Sequence, residues 1–224
     1  MSEYTRSQFN DLLRKQGKEI GILPVQNVPN EQIRLEEVQR LGILDRDFSS
    51  TSQYHSLTQL ATILTETQVS MINVLGSNVQ RCKIDFGFDA AQSAMAQELP
   101  REISVCQYSL ATPQEPLIIE DLFLDERTKN FQKLEAYSNL RFYAGLPLVT
   151  SRGYSIGTLC VIGTKPQKID HDKMEGLRIL ADQVINLIEA EHKNHTDAHL
   201  GESSKSDSSG EDVRYFSTSS ILFH

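Results

Sequence analysis

Residues 141–163, RFYAGLPLVTSRGYSIGTLCVIG, decide the fold class. Two apolar runs, Phe142 to Thr150 and Tyr154 to Gly163, flank a turn at Gly153. Runs of this length, rich in aromatic and β-branched residues and split by a glycine turn, read as an antiparallel hairpin. A second hairpin precedes it. Val69 to Leu75 is closed by Gly76-Ser77-Asn78, and Val79 to Phe86 returns before Gly87. Pro116 to Glu120 reads as a short separate strand.

Helical patterns bracket the hairpins. Asn30 suits an N-cap, Ile33, Val38 and Leu41 recur at roughly helical spacing, and Gly42 ends the helix. Tyr54, Leu57, Leu60, Ala61 and Leu64 stripe a second helix over about Ser52 to Glu66. Ala90 to Glu98 has high helix propensity, and Ser104 to Gln107 reads as a capping box opening a short helix through Leu110. Asp121 to Tyr137 is polar and reads as one or two short helices. Asp170 and Asp172 are alternative N-caps for a long helix to about His192. Hairpin-joined strands bracketed by helices imply an α+β fold, an antiparallel sheet with helices packed on it. Strands do not alternate with long helices, which disfavours a doubly wound nucleotide fold.

The ends differ from the middle. Residues 1–29 read as an extension and linker: Phe9, Leu12 and Leu13 suit one face of a short helix, and Gly17, Gly21, Pro24 and Pro29 break anything longer. The domain proper is assigned to residues 30–192. Residues 193–224 are rich in Ser, Asp, Glu, Gly and His, a composition that predicts a disordered tail. His192, His195 and His199 have helical ligand spacing, yet they fall where the helix runs into this tail, without a Cys, so no metal site is assigned.

Charge narrows the partners. The net charge of -8 opposes attraction to phosphate backbones or anionic lipid, so nucleic acid is not an expected partner. No stretch approaches 18 uncharged apolar residues and the N-terminus lacks a signal-like apolar run, so a cytoplasmic location away from the membrane is expected. Three widely spaced cysteines, Cys82, Cys106 and Cys160, read as free thiols.

Three segments carry a family resemblance. They are the helix Arg34 to Asp45 ending Leu41-Gly42-Ile43-Leu44-Asp45, the loop Asp121-Leu122 with Asp125-Glu126-Arg127 and Asn130, and the paired strands at Arg141 to Leu148 and Gly157 to Ile162. From about Asn30 to Ala190 the chain resembles the GAF domains of bacterial sensor kinases and diguanylate cyclases. That resemblance implies a central antiparallel sheet of five or six strands, N- and C-terminal helices on one face, and a small-molecule pocket on the other. It implies a signal-input module without catalysis of its own, acting on a kinase or cyclase effector, dimerising through its terminal helices. The alternatives are a ligand-free dimerisation scaffold and a Cys106-based redox sensor or methionine sulfoxide reductase-like enzyme.

The candidate ligand-binding residues are Arg141, Tyr143, Asp121, Asp125, Cys106 and Tyr108. Arg141 suits an anionic ligand group; the alternative, and the commoner arrangement, is a clamp on Asp121 or Asp125 that fixes the loop. The capping box would lower the Cys106 pKa; the alternative is a small buried hydrophobe. Cys160 reads as inert packing. No cysteine lies between Ile118 and Asn139 to partner a sulfoxide reductase thiol, and Gln107 rather than His follows Cys106, which argues against a bilin chromophore. No cofactor is expected. On the long helix Met174, Leu177, Ala181, Val184 and Ile188 make the inward stripe, and Ile179, Ile185 and Ile188 widen it toward a partner. Arg214 to His224 turns apolar again and faintly resembles the first strand of a class III nucleotide cyclase domain; a docking peptide is an equal reading.

Overall fold

The computed structural model describes residues 5–206. Helix α1 is Arg6–Ile20, α2 Glu31–Leu41 and α3 Ser52–Thr65; strands β1 (Val69–Leu75) and β2 (Val79–Phe86) follow, then α4 (Ala90–Ala96) and β3 (Glu98–Pro100). After 3-10 turns at Arg101–Ile103 and Val105–Ala111 come β4 (Leu117–Ile119), two more 3-10 turns at 131–133 and 135–137, β5 (Phe142–Val149), β6 (Ser155–Gly163) and α5 (His171–Ser206). Contacts divide the chain into one unit up to Glu189 and a second from Ala190.

Both expected hairpins form, and they join. β1 lies against β6, giving a six-stranded sheet in the order β3-β2-β1-β6-β5-β4 with every pair antiparallel. Gly157 permits this central contact: a Cβ there would lie 1.9 Å from the Asn73 carbonyl oxygen of β1. β3 has only three residues, too few for a periodic signal.

Alternation along the strands separates two faces. Ile72 and Val74 of β1, Phe142, Ala144, Leu146 and Leu148 of β5, and Leu159 and Val161 of β6 point into one closed apolar core. Val38 and Leu41 of α2, Tyr54 and Ala61 of α3, and Leu177, Ala181, Val184 and Ile188 of α5 complete it. Helix α2 is further held by buried charge. Arg34, 2 % exposed, donates to Glu31 at 2.7 Å and to the Leu75 carbonyl at 2.7 Å, tying the helix to the end of β1. Glu37 is equally buried between Arg40 and Arg152.

Capping departs from the sequence reading in two places. Asn30 occupies the N-cap of α2 in a left-handed conformation without a side-chain bond. Ser104 makes no cap either, and the segment after it is a 3-10 turn rather than an α-helix. Gln107 instead donates to the Glu102 carbonyl and accepts from the Val25 amide, fastening the linker. Of the two alternatives for α5, Asp170 is the cap, accepting from the Lys173 amide at 2.8 Å.

The terminal assignments need correction. Residues 6–20 are a regular α-helix running through Gly17, because a Thr5–Gln8 capping box starts it and Gly21 ends it only afterwards. This helix packs its Phe9 and Leu13 on the face opposite α2, α3 and α5, so it belongs to the domain rather than to an extension. At the other end α5 continues from Lys193 to Ser206, where composition predicts disorder. Helical propagation from a long preformed segment costs less than nucleation, so a polar continuation stays helical. The remainder of the predicted tail, 207–224, and the cyclase-like segment Arg214 to His224 lie outside the described residues. On α5, Ile185 is buried and only Ile179 is left outward, at 55 % exposure, so the helix is closer to a single stripe than expected. Among the described residues no helix is long and apolar enough to cross a membrane.

Candidate functional site

The second face of the sheet is built differently. Met71, Gln80, Tyr143 and Ile162 form the floor of a cavity of about 510 Å³, and Cys106 enters from the turn above. Phe9 and Leu13 of α1, Met95 and Ala96 of α4, and Leu134 to Leu140 complete its walls.

Three polar contacts hold α1 across this hollow. Arg6 donates to the Ala94 carbonyl at 2.6 Å, Asn10 to Glu98 at 3.1 Å and Arg14 to Glu102 at 3.0 Å. Gly17 lets the helix approach closely, since a Cβ there would fall 2.2 Å from Ile103 Cδ1. The opposite wall is fixed by aromatic packing. Phe131 stands edge-on to Tyr137 at 5.0 Å and to Tyr108 at 6.4 Å, while the Tyr137 hydroxyl donates to the Ile103 carbonyl at 2.7 Å.

The floor carries polar groups that the fold leaves incompletely paired. Gln80, 3 % exposed, donates from Nε2 to Asn73 Oδ1 at 3.3 Å, and its Oε1 has no partner. The Tyr143 hydroxyl and Thr158 Oγ1 are also buried without a nitrogen or oxygen partner. A buried polar atom left unpaired costs about 1–3 kcal/mol, so Gln80 Oε1 is the floor atom whose hydrogen-bonding capacity the fold leaves open.

Of the six sequence candidates, the structure brings Tyr143 and Cys106 into the cavity lining. The other four are engaged elsewhere. Arg141 makes a two-pronged pair with Asp121 at 2.9 and 2.6 Å and covers the Phe123 ring at 4.6 Å, so it clamps the loop. That hydrogen-bonded guanidinium holds the Asp121 carboxyl below its ordinary value. Asp125 pairs with Arg127 at 2.7 Å, which lowers its pKa likewise. The half-buried Tyr108 hydroxyl lies 2.9 Å from both the Leu23 and Arg127 carbonyl oxygens, and burial pushes its pKa up to about 12. Asn130 donates to the Gly21 carbonyl at 3.1 Å. The Asp121–Asn130 loop therefore anchors the linker and the end of α1.

The cysteines also regroup. Cys82 is driven up by burial, which outweighs the cations beside it in sequence. Cys106 and Cys160 both sit against Asn73 Nδ2, at 3.6 and 3.4 Å, so Cys160 is a neighbour of the cavity thiol rather than isolated packing. Sequence reasoning missed Asn73, Gln80, Thr158 and Cys160. The available signal was polar residues interrupting buried strands at positions 73 and 158.

A second hollow of about 450 Å³ lies beside Arg46, Phe48, Arg81 and Lys83. Arg81 pairs with Glu98 at 3.1 Å and with Asp45, and Lys83 donates to the Leu44 carbonyl at 2.9 Å while standing 5.5 Å over Phe48. The lining of this hollow is dominated by charged groups held in such contacts, whereas the sheet-floor cavity is mostly apolar with a buried unpaired acceptor, which makes the latter the better site. Among the described residues no cluster of three or more His, Cys, Asp or Glu is placed to hold a metal ion.

Known proteins agree with this architecture. The family model for the GAF domain matches residues 52–188. A cyclic di-GMP phosphodiesterase of Pseudomonas aeruginosa is 28% identical over 138 residues, which are 62% of this chain and 22% of that protein, so the chain spans about a fifth of its relative. In structure, the chain resembles the blue-light absorbing form of the PixJ GAF domain of Thermosynechococcus elongatus (TM-score 0.54, 14% identity, 79% of this chain and 98% of that one). It also resembles a GAF domain/HD domain protein of Geobacter sulfurreducens (TM-score 0.51, 15% identity, 70% and 97%) and a type II free methionine-R-sulfoxide reductase of Thermoplasma acidophilum (TM-score 0.51, 14% identity, 62% and 92%). At these identities the likeness concerns the fold. The sheet order, the helical face and the family match agree: the chain belongs to the GAF domain family.

Proposed function

We propose that this GAF domain is a signal-input module that binds a small molecule in the 510 Å³ cavity and has no catalysis of its own. The observation carrying this reading is the unpaired, 3 %-exposed Gln80 amide oxygen on the floor of a mostly apolar hollow. Gln80 Oε1 accepts a hydrogen bond from the ligand, the Tyr143 hydroxyl lies alongside, and Phe9, Leu13, Phe88 and Met95 enclose the apolar part. A ligand of this kind is largely apolar with one donor group and no negative charge, since the residues lining the cavity include Glu135 but no cation.

The response passes to a signalling effector, a kinase or a cyclic-nucleotide enzyme. The Pseudomonas relative, named as a cyclic di-GMP phosphodiesterase, supports that class of output. Helix α5 is the natural exit, because its Leu177, Val184 and Ile188 pack on the strands whose other side lines the cavity. A homodimer through the helical face is favoured by the outward Ile179 on α5 and Leu60 and Ile63 on α3.

Native mass spectrometry of protein purified from cells tests the reading. A co-purifying molecule that Gln80→Leu abolishes is the expected result. Protein that stays empty even against a total metabolite extract overturns it. The same spectrum reports subunit mass, and a monomer at micromolar concentration removes the dimer.

A further inference from the structure

The sulfur cluster on the cavity floor has no part in that reading. Cys106 is among the residues lining the cavity; its Sγ lies 3.6 Å from Asn73 Nδ2, and Cys160 Sγ lies 3.4 Å from the same nitrogen. Two thiols held by one amide group are neighbours. The hydroxyls of Tyr143 and Thr158 are buried without a nitrogen or oxygen partner, and both turn toward the Cys106 sulfur. Gly145 explains how Tyr143 gets there. A Cβ at 145 would stand 2.4 Å from the Tyr143 hydroxyl oxygen, so only glycine lets the ring lie along its own strand. Gly145 is also the β5 residue opposite Cys160, which sets the hydroxyl beside the pair.

We propose that Cys106 and Cys160 form a dithiol oxidation site, in which a hydroperoxide entering the cavity oxidises Cys106 and Cys160 resolves it to a disulfide. The Cys106 thiolate attacks the peroxide O–O bond, takes one oxygen as Cys106–SOH, and the other oxygen leaves as alcohol or water with a proton. The Cys160 sulfur then attacks the sulfenyl sulfur. The S–S bond forms and hydroxide leaves as water with the Cys160 proton. Two thiols lose two electrons and two protons, and the peroxide is reduced by two electrons.

The surroundings favour this order of events. Hydrogen bonds from Cys160, then from Thr158 and Tyr143, outweigh burial and hold the Cys106 thiol down to about 7. Cys160 is pushed up by the same contact with Cys106, so it keeps its proton and waits. The other ionisable groups around the pair, Tyr143, Tyr137 and Cys82, are all pushed up by burial and stay neutral. A thiolate with donors around it and access from a cavity is the nucleophile, whereas a protonated neighbour is the resolving partner. The site works whether or not the cavity holds a small molecule at other times.

The experiment treats the whole chain with one equivalent of hydrogen peroxide at neutral pH, blocks remaining thiols in denaturant and maps peptides without reduction. The expected product joins the Cys106 and Cys160 peptides within one chain and leaves Cys82 alkylated. Cys160→Ser should halt at a sulfenic acid on Cys106 that dimedone traps, and Tyr143→Phe should slow oxidation about fivefold at neutral pH while moving its pH midpoint upward. Cys82→Ser should change nothing. The unmodified protein decides the matter even if a variant misfolds: absence of the 106–160 link, or prior oxidation of Cys82, overturns the proposal.

Discussion

The two faces of one sheet obey different rules. The face under α2, α3 and α5 is a closed apolar core in which Ile72, Val74, Leu159 and Val161 are fully or almost fully buried. The face under α1 and the 3-10 turns keeps a hollow, and polar side chains replace apolar ones at Asn73, Gln80 and Thr158. Both faces come from the same strands, alternate residues serving each. One side therefore supplies stability, and the other gives some of it up, as the buried, unpaired Gln80 Oε1 indicates.

Substitutions can break this contrast. Leu159→Ala, on the helical face, should cost about 2–5 kcal/mol in chemical denaturation, because a closed core cannot refill the void. A loss comparable to that of an exposed site would mean the core is looser than described. Gly145→Ala should cost about 1–3 kcal/mol by overpacking against Tyr143, and near-ultraviolet circular dichroism should report the displaced ring. Gln80→Leu should leave stability within about 1 kcal/mol of the wild type, since it removes an unpaired acceptor along with one bond. It should nevertheless weaken binding of a donor-bearing probe such as indole about tenfold, measured by calorimetry. A stability loss with unchanged binding would make Gln80 purely structural.

Arg141→Ala gives the smallest effect on the cavity, because the guanidinium is occupied by Asp121 outside it. Indole affinity should not change. Its effect should appear in acid instead. The Asp121 carboxyl is lowered in the folded state by Arg141, so the pair contributes stability above the ordinary carboxylate value of about 4 and loses it as pH falls through the lower folded value. The gap in melting temperature between wild type and variant should be full at neutral pH and close below about pH 4. A gap that persists in acid would show that Arg141 acts by packing on Phe123 rather than by charge.

Much of this was legible in the sequence because short apolar runs rich in β-branched residues, closed by turns at Gly76 and Gly153, signal hairpins by local chemistry alone. The pocket's side of the sheet followed from the family resemblance. What escaped notice was long-range. Helix α1 is stable because Arg6, Asn10 and Arg14 meet partners 88 residues away, which no local pattern encodes. Arg34 and Glu37 look like surface charges until the helix is docked and buries them. For Cys106 the lowered pKa was expected from a helix cap that does not form; the cause is the inward side chains of β5 and β6. Arg141 was a fair candidate by type, and the alternative clamp is what the loop required.

Methyl NMR of the methionines tests the difference between the faces most directly. Met71 and Met95 line the cavity, whereas Met174 packs on the helical core. Titration with indole should shift the Met71 and Met95 methyl signals together and saturably, leaving Met174 unmoved. If all three shift alike, or only Met174 responds, the sheet does not keep one face closed and the other open.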